Sequence, residues 1–295
     1  MFKRIREPSH QGLSIGDGDI HNVTGRMSEG LNVIVLVKQV PEIEKVRFDR
    51  EKGRLDRGSA GAVVNPFDLH ALETAVRIRE SAGGKVTALS MGPKKAEESL
   101  RDVLARGADR AVLLTDARFA GADTLATSYT LSIAIRKLGA FDLIVCGEKT
   151  VDGDTAQVGP EVAEFLDIPH VAYVEEIREI WESGIVVRSK TGKHYLLVEL
   201  EFPALITVTK DINTPRLPTL KDKLKSKKAD ITTWGAQDLS EAGETDIFGL
   251  SGSPTWVANV YAPKSGERKG QTIRGTPEVA ARKIADILGS LNVPR

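Results

Sequence analysis

Apolar and polar positions divide the chain into two regimes. From Asn32 to Leu166, short continuous apolar runs alternate with stretches whose apolar residues recur at helical spacing. Asn32–Val37, Lys85–Ser90, Ala111–Leu114 and Asp142–Cys146 are the runs expected of strands covered on both faces. The segments between them predict helices. The first opens at Asn65-Pro66-Phe67-Asp68, sets Leu69, Leu72 and Val76 on one face and ends at Gly83-Gly84. Lys95–Arg106 turns Leu100, Val103 and Leu104 inward. A third helix opens within Phe119–Ser128 and runs to about Leu138, and a fourth starts at Pro160. Such alternation implies a parallel sheet with right-handed crossovers.

After Pro169 the pattern changes. Ala172–Ile180, Gly184–Ser189, His194–Glu201 and Ala204–Thr209 are short and turn-separated, and they read as antiparallel hairpins. Glu44–Ala62 is charged and glycine-dotted, a hairpin or loop. Lys210–Leu217 reads as an exposed turn with a hydrophobic tip, and Lys221–Lys228 as a solvated lysine-rich face. Gly235–Gly275 is an extended arm suited to lying on a partner, and a last helix runs from Thr276-Pro277-Glu278 to about Leu291. The expected fold class is α/β: a Rossmann-like open parallel sheet with an antiparallel extension and an extended C-terminal arm. Three segments follow: a poorly structured extension at 1–30, a nucleotide-binding α/β domain at 31–209, and an arm and helix at 210–295 that pack on a partner subunit.

Composition narrows the function classes. The 41 basic and 41 acidic residues cancel, so charge offers nucleic acid or a membrane surface no general attraction. Aromatics at 5% make base stacking on a nucleic acid a poor reading. A single cysteine, Cys146, excludes an internal disulfide and a cysteine-rich metal site; at the end of a buried strand it reads as a small core residue. No apolar run approaches the roughly 20 residues of a membrane span. Met1–Arg6 is basic but no apolar segment follows it as in a secretory signal, and a cytoplasmic location is expected. Gly16-Asp17-Gly18 begins like a dinucleotide fingerprint, yet no strand precedes it and His21 takes the third glycine's place.

Candidate chemistry concentrates in Cys146–Pro160, a polar loop between a strand and a helix. That is where open α/β sheets bind ligands. Gly147, Gly153 and Gly159 allow close backbone approach, while Thr155, Gln157 and the helix amides are neutral donors for an anion. Asp152 and Asp154 repel phosphate and suit ribose hydroxyls or the loop's own amides. Read instead as a Mg²⁺ site of a nucleotide hydrolase, they lack an accompanying activating lysine or Walker glycine pattern. Lys38, after the first strand, is either a turn residue or a ligand-edge residue. Asn65 suits an N-cap and Asp68 a capping-box acid, at a helix start that is also an anion or sugar site. Thr124, Thr127 and Ser128 supply more hydroxyls than one cap requires; they read either as capping plus a polar face or, favoured by the glycine before them, as a second clamp on a phosphate or flavin ring. His170 and His194 stand without a second ligand at metal spacing.

Several stretches together resemble one family: Val35-Leu36-Val37-Lys38-Gln39-Val40-Pro41, Asn65-Pro66-Phe67-Asp68, Met91-Gly92-Pro93, Gly107-Ala108-Asp109 and Val151-Asp152-Gly153-Asp154-Thr155-Ala156-Gln157-Val158-Gly159. Over roughly Asn32–Lys228 the chain is similar to the β subunit of an electron transfer flavoprotein. The resemblance implies a heterodimer with an α subunit that carries one FAD, the β subunit holding a second nucleotide. In ordinary members this is a structural AMP; in the electron-bifurcating branch it is a second FAD that reacts with NADH. The implied nucleotide site comprises Leu36, Lys38, Asn65, Phe67, Asp68, Met91, Gly92, Gly147, Lys149, Thr150, Val151, Asp152, Gly153, Asp154, Thr155, Ala156, Gln157 and Val158. Phe119–Ser128 and the Asp-Gly-Asp-Thr-Ala-Gln form of the loop resemble the bifurcating branch, which puts Asp123, Thr124 and Thr127 near the extra flavin. That branch implies ferredoxin and a quinone oxidoreductase or acyl-CoA dehydrogenase-type partner as electron acceptors, with membrane association only through other subunits. Ordinary members instead carry electrons from dehydrogenases to a quinone reductase. Lys210–Leu217 falls where ordinary members anchor dehydrogenases, with Ile212 in the apolar position. No side-chain nucleophile or general base is expected, because the flavin does the chemistry.

Overall fold

The computed structural model describes residues 5–6, 22–23, 30–42, 47–49, 54–56, 61–258, 270 and 272–290. Strands β1 (Ile5–Arg6), β2 (Asn22–Val23) and β3 (Leu31–Leu36) are followed by β4 (Gln39–Pro41), β5 (Arg47–Asp49), β6 (Arg54–Asp56) and β7 (Ala62–Val64). Then come α1 (Pro66–Ala82), β8 (Gly84–Met91), α2 (Glu97–Ala105), β9 (Arg110–Leu114), α3 (Thr124–Leu138), β10 (Leu143–Gly147) and α4 (Val158–Leu166). The remainder is β11 (His170–Trp181), β12 (Gly184–Thr191), β13 (His194–Glu201), β14 (Ala204–Val208), α5 (Leu220–Ser226), β15 (Thr232–Trp234) and α6 (Pro277–Ser290).

One large sheet dominates, in the order β1-β13-β12-β11-β14-β10-β3-β8-β9-β15, with β2 beside β11. Neighbours from β11 to β15 run parallel, and β12 and β13 continue the sheet antiparallel. Successive residues of the central strands point to opposite faces, and both faces are covered. Val33, Val35, Val145 and Ile206 pack with Leu72, Val76, Leu100 and Val103 of α1 and α2. Ile34, Leu36, Ile144 and Leu205 pack with Leu131, Ile135, Val162 and Ala163 of α3 and α4. That two-sided burial explains why these strands read as unbroken apolar runs rather than alternating ones.

The expected fold class holds, and particular elements differ from their readings. Ala204–Val208 is not the last strand of an antiparallel set: β14 lies parallel between β10 and β11. All of its residues are buried, as its unbroken Ala-Leu-Ile-Thr-Val run requires. In the segment 1–30, Ile5–Arg6 pairs with β13 and Asn22–Val23 with β11. Two-residue strands held by backbone hydrogen bonds leave no side-chain period to read; most of that segment lies outside the described residues. The charged stretch 44–62 contains the antiparallel pair β5–β6 and is closed off by the antiparallel pair of its flanking strands β4 and β7.

Beyond Lys210 the chain also enters the core. Thr232–Trp234 adds a parallel strand beside β9, and Ala236, Leu239 and Phe248 are buried against the α3 face. Ile212, read as an exposed contact, is only 5% exposed, whereas Leu217 is 84% exposed. Arg216 accounts for this: its guanidinium pairs with Glu73 at 2.8 Å and Glu80 at 2.6 Å, pinning the turn to α1. The chain falls into two compact units, 1–256 and 257–295. In the second, α6 carries Val279, Ile284 and Leu288 exposed. Among the described residues no helix is long and apolar enough to cross a membrane.

Phe248 meets Phe119 edge-on at 5.3 Å between centroids and is almost fully buried. Phe248→Ala is expected to cost about 3–5 kcal/mol in a urea unfolding experiment. An unchanged midpoint would place this segment outside the cooperative unit.

Candidate functional site

The chain leaves β3 through α1 on one face of the sheet and leaves its neighbour β10 through α4 on the other. The outgoing loops therefore diverge between these two strands, the crevice in which doubly wound sheets bind ligands. Lys38, Asn65, Asp68 and the 147–158 loop converge there from separate elements.

Asp68, in the first turn of α1, is 5% exposed. Its Oδ2 accepts the Lys38 backbone N–H at 2.8 Å, and the carboxylate also accepts the Gly147 N–H. One side chain thus ties the ends of β3 and β10. It is not a capping-box acid, because its acceptors serve strand ends rather than its own helix. Asn65 makes no side-chain cap bond either. Its Nδ2 donates to the Lys149 carbonyl at 2.9 Å and its Oδ1 accepts from the Val151 N–H at 3.2 Å, so it pins the loop. A Cβ on Gly147 would sit 2.6 Å from Asp68 Oδ1 and 2.7 Å from Phe67 Cβ, so only glycine fits under this clamp. Gly159 is equally constrained, with Thr207 Cγ2 at 2.6 Å and Cys146 Sγ at 2.9 Å.

The loop's two aspartates are neutralised. Lys38 Nζ meets Asp152 at 2.8 Å and Lys149 Nζ meets Asp154 at 2.8 Å. Lys149 also lies 5.7 Å above the Phe67 ring. Asp152 additionally accepts the Gly153 N–H. Asp154 and Ala156 both adopt positive φ, 54° and 55°. The N–H groups of Thr155, Ala156 and Gln157 bond nothing among the described residues. Free amides on a backbone alternating into the left-handed region, just before a helix, are donors that could hold an anion. The donor set fits a nucleotide phosphate, and the compensated carboxylates no longer oppose one. Leu36 lies in the same strand end but its side chain is in the core. Met91 is partly buried, and the Gly92 N–H donates to the Leu114 carbonyl.

A second group forms where α3 meets α4. Asp123 N-caps α3 through the Ala126 N–H at 3.1 Å. It also accepts from the Thr255 N–H and hydroxyl, while its own N–H donates to Ser253 Oγ. Thr124 and Ser128 donate to Glu161 of α4 at 3.2 and 2.9 Å. The hydroxyls expected to clamp a ring thus tie two helices, and Thr127 is left half-buried with its N–H in the helix. Glu161, Ser253 and Thr255 were not anticipated; Glu161 looks in sequence like an ordinary first-turn acid, and the other two are distant along the chain. No metal-holding group of His, Cys, Asp or Glu occurs among the described residues.

This is a doubly wound, Rossmann-like α/β fold with the 147–158 loop at its topological switch point. The electron transfer flavoprotein domain matches residues 53–239. The chain is 44% identical over 264 residues to the electron transfer flavoprotein subunit beta of Thermoanaerobacterium thermosaccharolyticum, covering 89% of this chain and 100% of that protein. It is 43% identical to protein FixA of Sinorhizobium fredii, over 88% of this chain and 92% of that one. Identity is 37% to the caffeyl-CoA reductase-Etf complex subunit CarD of Acetobacterium woodii, over 88% and 96% of the two chains. The chain belongs to the electron transfer flavoprotein family, among its β-subunit and FixA members, and its work is electron transfer.

Burial pushes the Asp68 carboxyl up to about 7, against the Asn65, Lys38 and Gly147 donors and the Lys38 charge that favour ionisation. An acid whose folded pKa exceeds its unfolded value near 4 binds its proton more tightly when folded, so its ionisation removes stability as pH rises. Measured by thermal unfolding, the stability of wild type relative to Asp68→Asn is expected to fall between pH about 4 and 7 and to level off above. A difference independent of pH would contradict the buried carboxylate's titration.

Proposed function

We propose that this chain is the β subunit of a heterodimeric electron transfer flavoprotein and holds FAD in the crevice between β3 and β10. The observation that supports it is the convergence of Lys38, Asn65, Asp68 and the 147–158 loop at that crevice, with free amides at Thr155, Ala156 and Gln157. The chemistry supplied by bound FAD is hydride acceptance from NADH and single-electron delivery to two acceptors, the α-subunit FAD and ferredoxin. The side chains bind, orient and screen. Lys38 and Lys149 cancel the loop carboxylates, the amides receive phosphate, and Asp68 holds the two strand ends in register. Electrons passing through the α subunit continue to a quinone oxidoreductase or an acyl-CoA dehydrogenase-type partner. The exposed apolar side chains of α6, Val279, Ile284 and Leu288, pack on a partner subunit. The complex works in the cytoplasm and associates with membranes only through other subunits.

One observation favours a second reading, in which the crevice holds AMP and the subunit is an electron carrier between dehydrogenases and a quinone reductase. Thr124 and Ser128 spend their hydroxyl protons on Glu161, which leaves fewer donors for an isoalloxazine ring. Denaturing the purified α/β pair and quantifying released nucleotide decides between them. Two FAD per heterodimer is the expected result; one FAD with one AMP would establish the carrier reading. In the same pair, Lys38→Ala exposes the Asp152 charge and is expected to weaken nucleotide binding about tenfold, the scale of one hydrogen bond to a charged group. Unchanged affinity in a fluorescence titration would remove Lys38 from the site.

A further inference from the structure

Among the described residues, the non-glycine positions with positive φ are Asp154, Ala156, Asp167 and Tyr173. Asp167 is the left-handed residue that ends α4, a common helix stop. Asp154 and Ala156 belong to the loop. Tyr173 is different: φ is 57° inside a strand, a conformation that a bulky side chain adopts only under constraint.

The constraint is a bulge. β11 pairs in register with β14 at Val171↔Ile206 and again at Val174↔Val208, with one extra residue between them. Tyr173 takes its amide out of the ladder and donates it to Thr207 Oγ1 at 3.1 Å, while the Ala172 carbonyl accepts from Ser189 Oγ at 2.6 Å. Bulges of this kind re-aim a side chain and are common beside binding sites. The position is at the loop's own level: Val208 is in register with Gly147, and Glu148 donates to the Val208 carbonyl. Thr207 packs against Gly159 of α4, so the Tyr173 amide is directed to the α4 side of the sheet. Its phenol lies within electrostatic reach of the Lys149 ammonium.

Nothing internal uses the ring. Tyr173 is 43% exposed, and its side chain has no hydrogen bond or ring contact among the described residues. The other tyrosines in the described residues are engaged: Tyr129 packs on Phe165 and Phe248, and Tyr195 lies under Arg188 at 4.8 Å. The bulge's own hydrogen bonds use only the backbone at 172–173, and a strained position that leaves an aromatic ring unpartnered beside a loop points to a ligand.

We infer that the Tyr173 ring is an aromatic platform on which the planar ring of the loop-bound nucleotide stacks. This rests on the reading that the 147–158 loop holds a nucleotide, and it adds a residue which that reading does not include. Stacking needs a π-face rather than a particular hydrogen-bond pattern, so the hydroxyl is dispensable.

The test uses the α/β complex stripped of nucleotide and titrated separately with FAD, AMP and riboflavin. Tyr173→Phe keeps the ring, Tyr173→Ala removes it and keeps the strained backbone, and Tyr173→Gly removes both. Phe is expected to bind as wild type does, whereas Ala and Gly each weaken binding about tenfold, within the range of one base–aromatic stack. Thermal unfolding is expected to rank Gly above Ala, because glycine adopts this φ without strain. Loss of both AMP and FAD affinity identifies adenine as the stacked ring, and loss of FAD and riboflavin affinity alone identifies the flavin. Wild-type affinity in Ala and Gly overturns the inference, as does weakened α-subunit association with nucleotide binding intact. Affinity that recovers in Gly along with stability would also overturn it, since the effect would then be purely structural. Failure of wild type itself to hold a nucleotide in addition to the α-subunit FAD would overturn the nucleotide reading as well.

Discussion

A buried carboxylate at the divergence of two strands is the constraint on which this structure depends. Where β3 and β10 send their chains to opposite faces, the backbone amides just past each strand lose their ladder partners. Burying an amide without an acceptor costs on the order of 1–3 kcal/mol. Asp68 reaches back from the first turn of α1 and accepts from both Lys38 and Gly147. The helix, the two strand ends and the mouth of the crevice become one unit. Gly147 follows from this, because a side chain there would collide with the acid that satisfies its amide.

The same clamp sets the electrostatics of the crevice. An acid so buried holds its proton up to about pH 7, so it presents only part of a negative charge to an incoming anion. The loop's aspartates are matched one to one, Asp152 by Lys38 and Asp154 by Lys149. Exposed ion pairs of this sort add little stability, typically under about 1 kcal/mol. Their effect is on the field. A loop with two aspartates becomes a nearly neutral surface on which free amides can dominate.

How much was legible in the sequence follows from the range of each signal. Strands covered on both faces write unbroken apolar runs, so β3, β8, β9 and β10 could be read directly, and so could the helices between them. The loop at 147–158 was legible because glycines and polar residues must follow a strand at a switch point. What escaped was carried by contacts distant along the chain. The roles of Asn65 and Asp68 as clamps on residues 38 and 147–151 look locally identical to helix capping. Ala204–Val208 was misplaced by its neighbours: three antiparallel strands precede it, although its own composition is that of a parallel core strand. Ile212 was misread because Arg216, four residues on, buries the turn through acids on α1 that no local pattern reveals.

The tie between α3 and α4 bears on which nucleotide the crevice suits. A hydroxyl has one proton and two lone pairs. Thr124 and Ser128 commit their protons to Glu161, so toward any ligand they can act only as acceptors. Glu161 in turn sits in the first turn of α4, where its negative charge also favours the helix N-terminus. Both helix starts are therefore coupled through one carboxylate. A ring entering between them must offer N–H donors to these oxygens or draw the hydroxyls away from Glu161. Among the described residues Thr127 keeps its hydroxyl proton at this corner, whereas the 155–157 stretch offers three backbone amides with no internal acceptor. The two ends of the crevice thus differ in chemistry: uncommitted amides at the loop, and hydroxyls tied to a carboxylate where α3 meets α4.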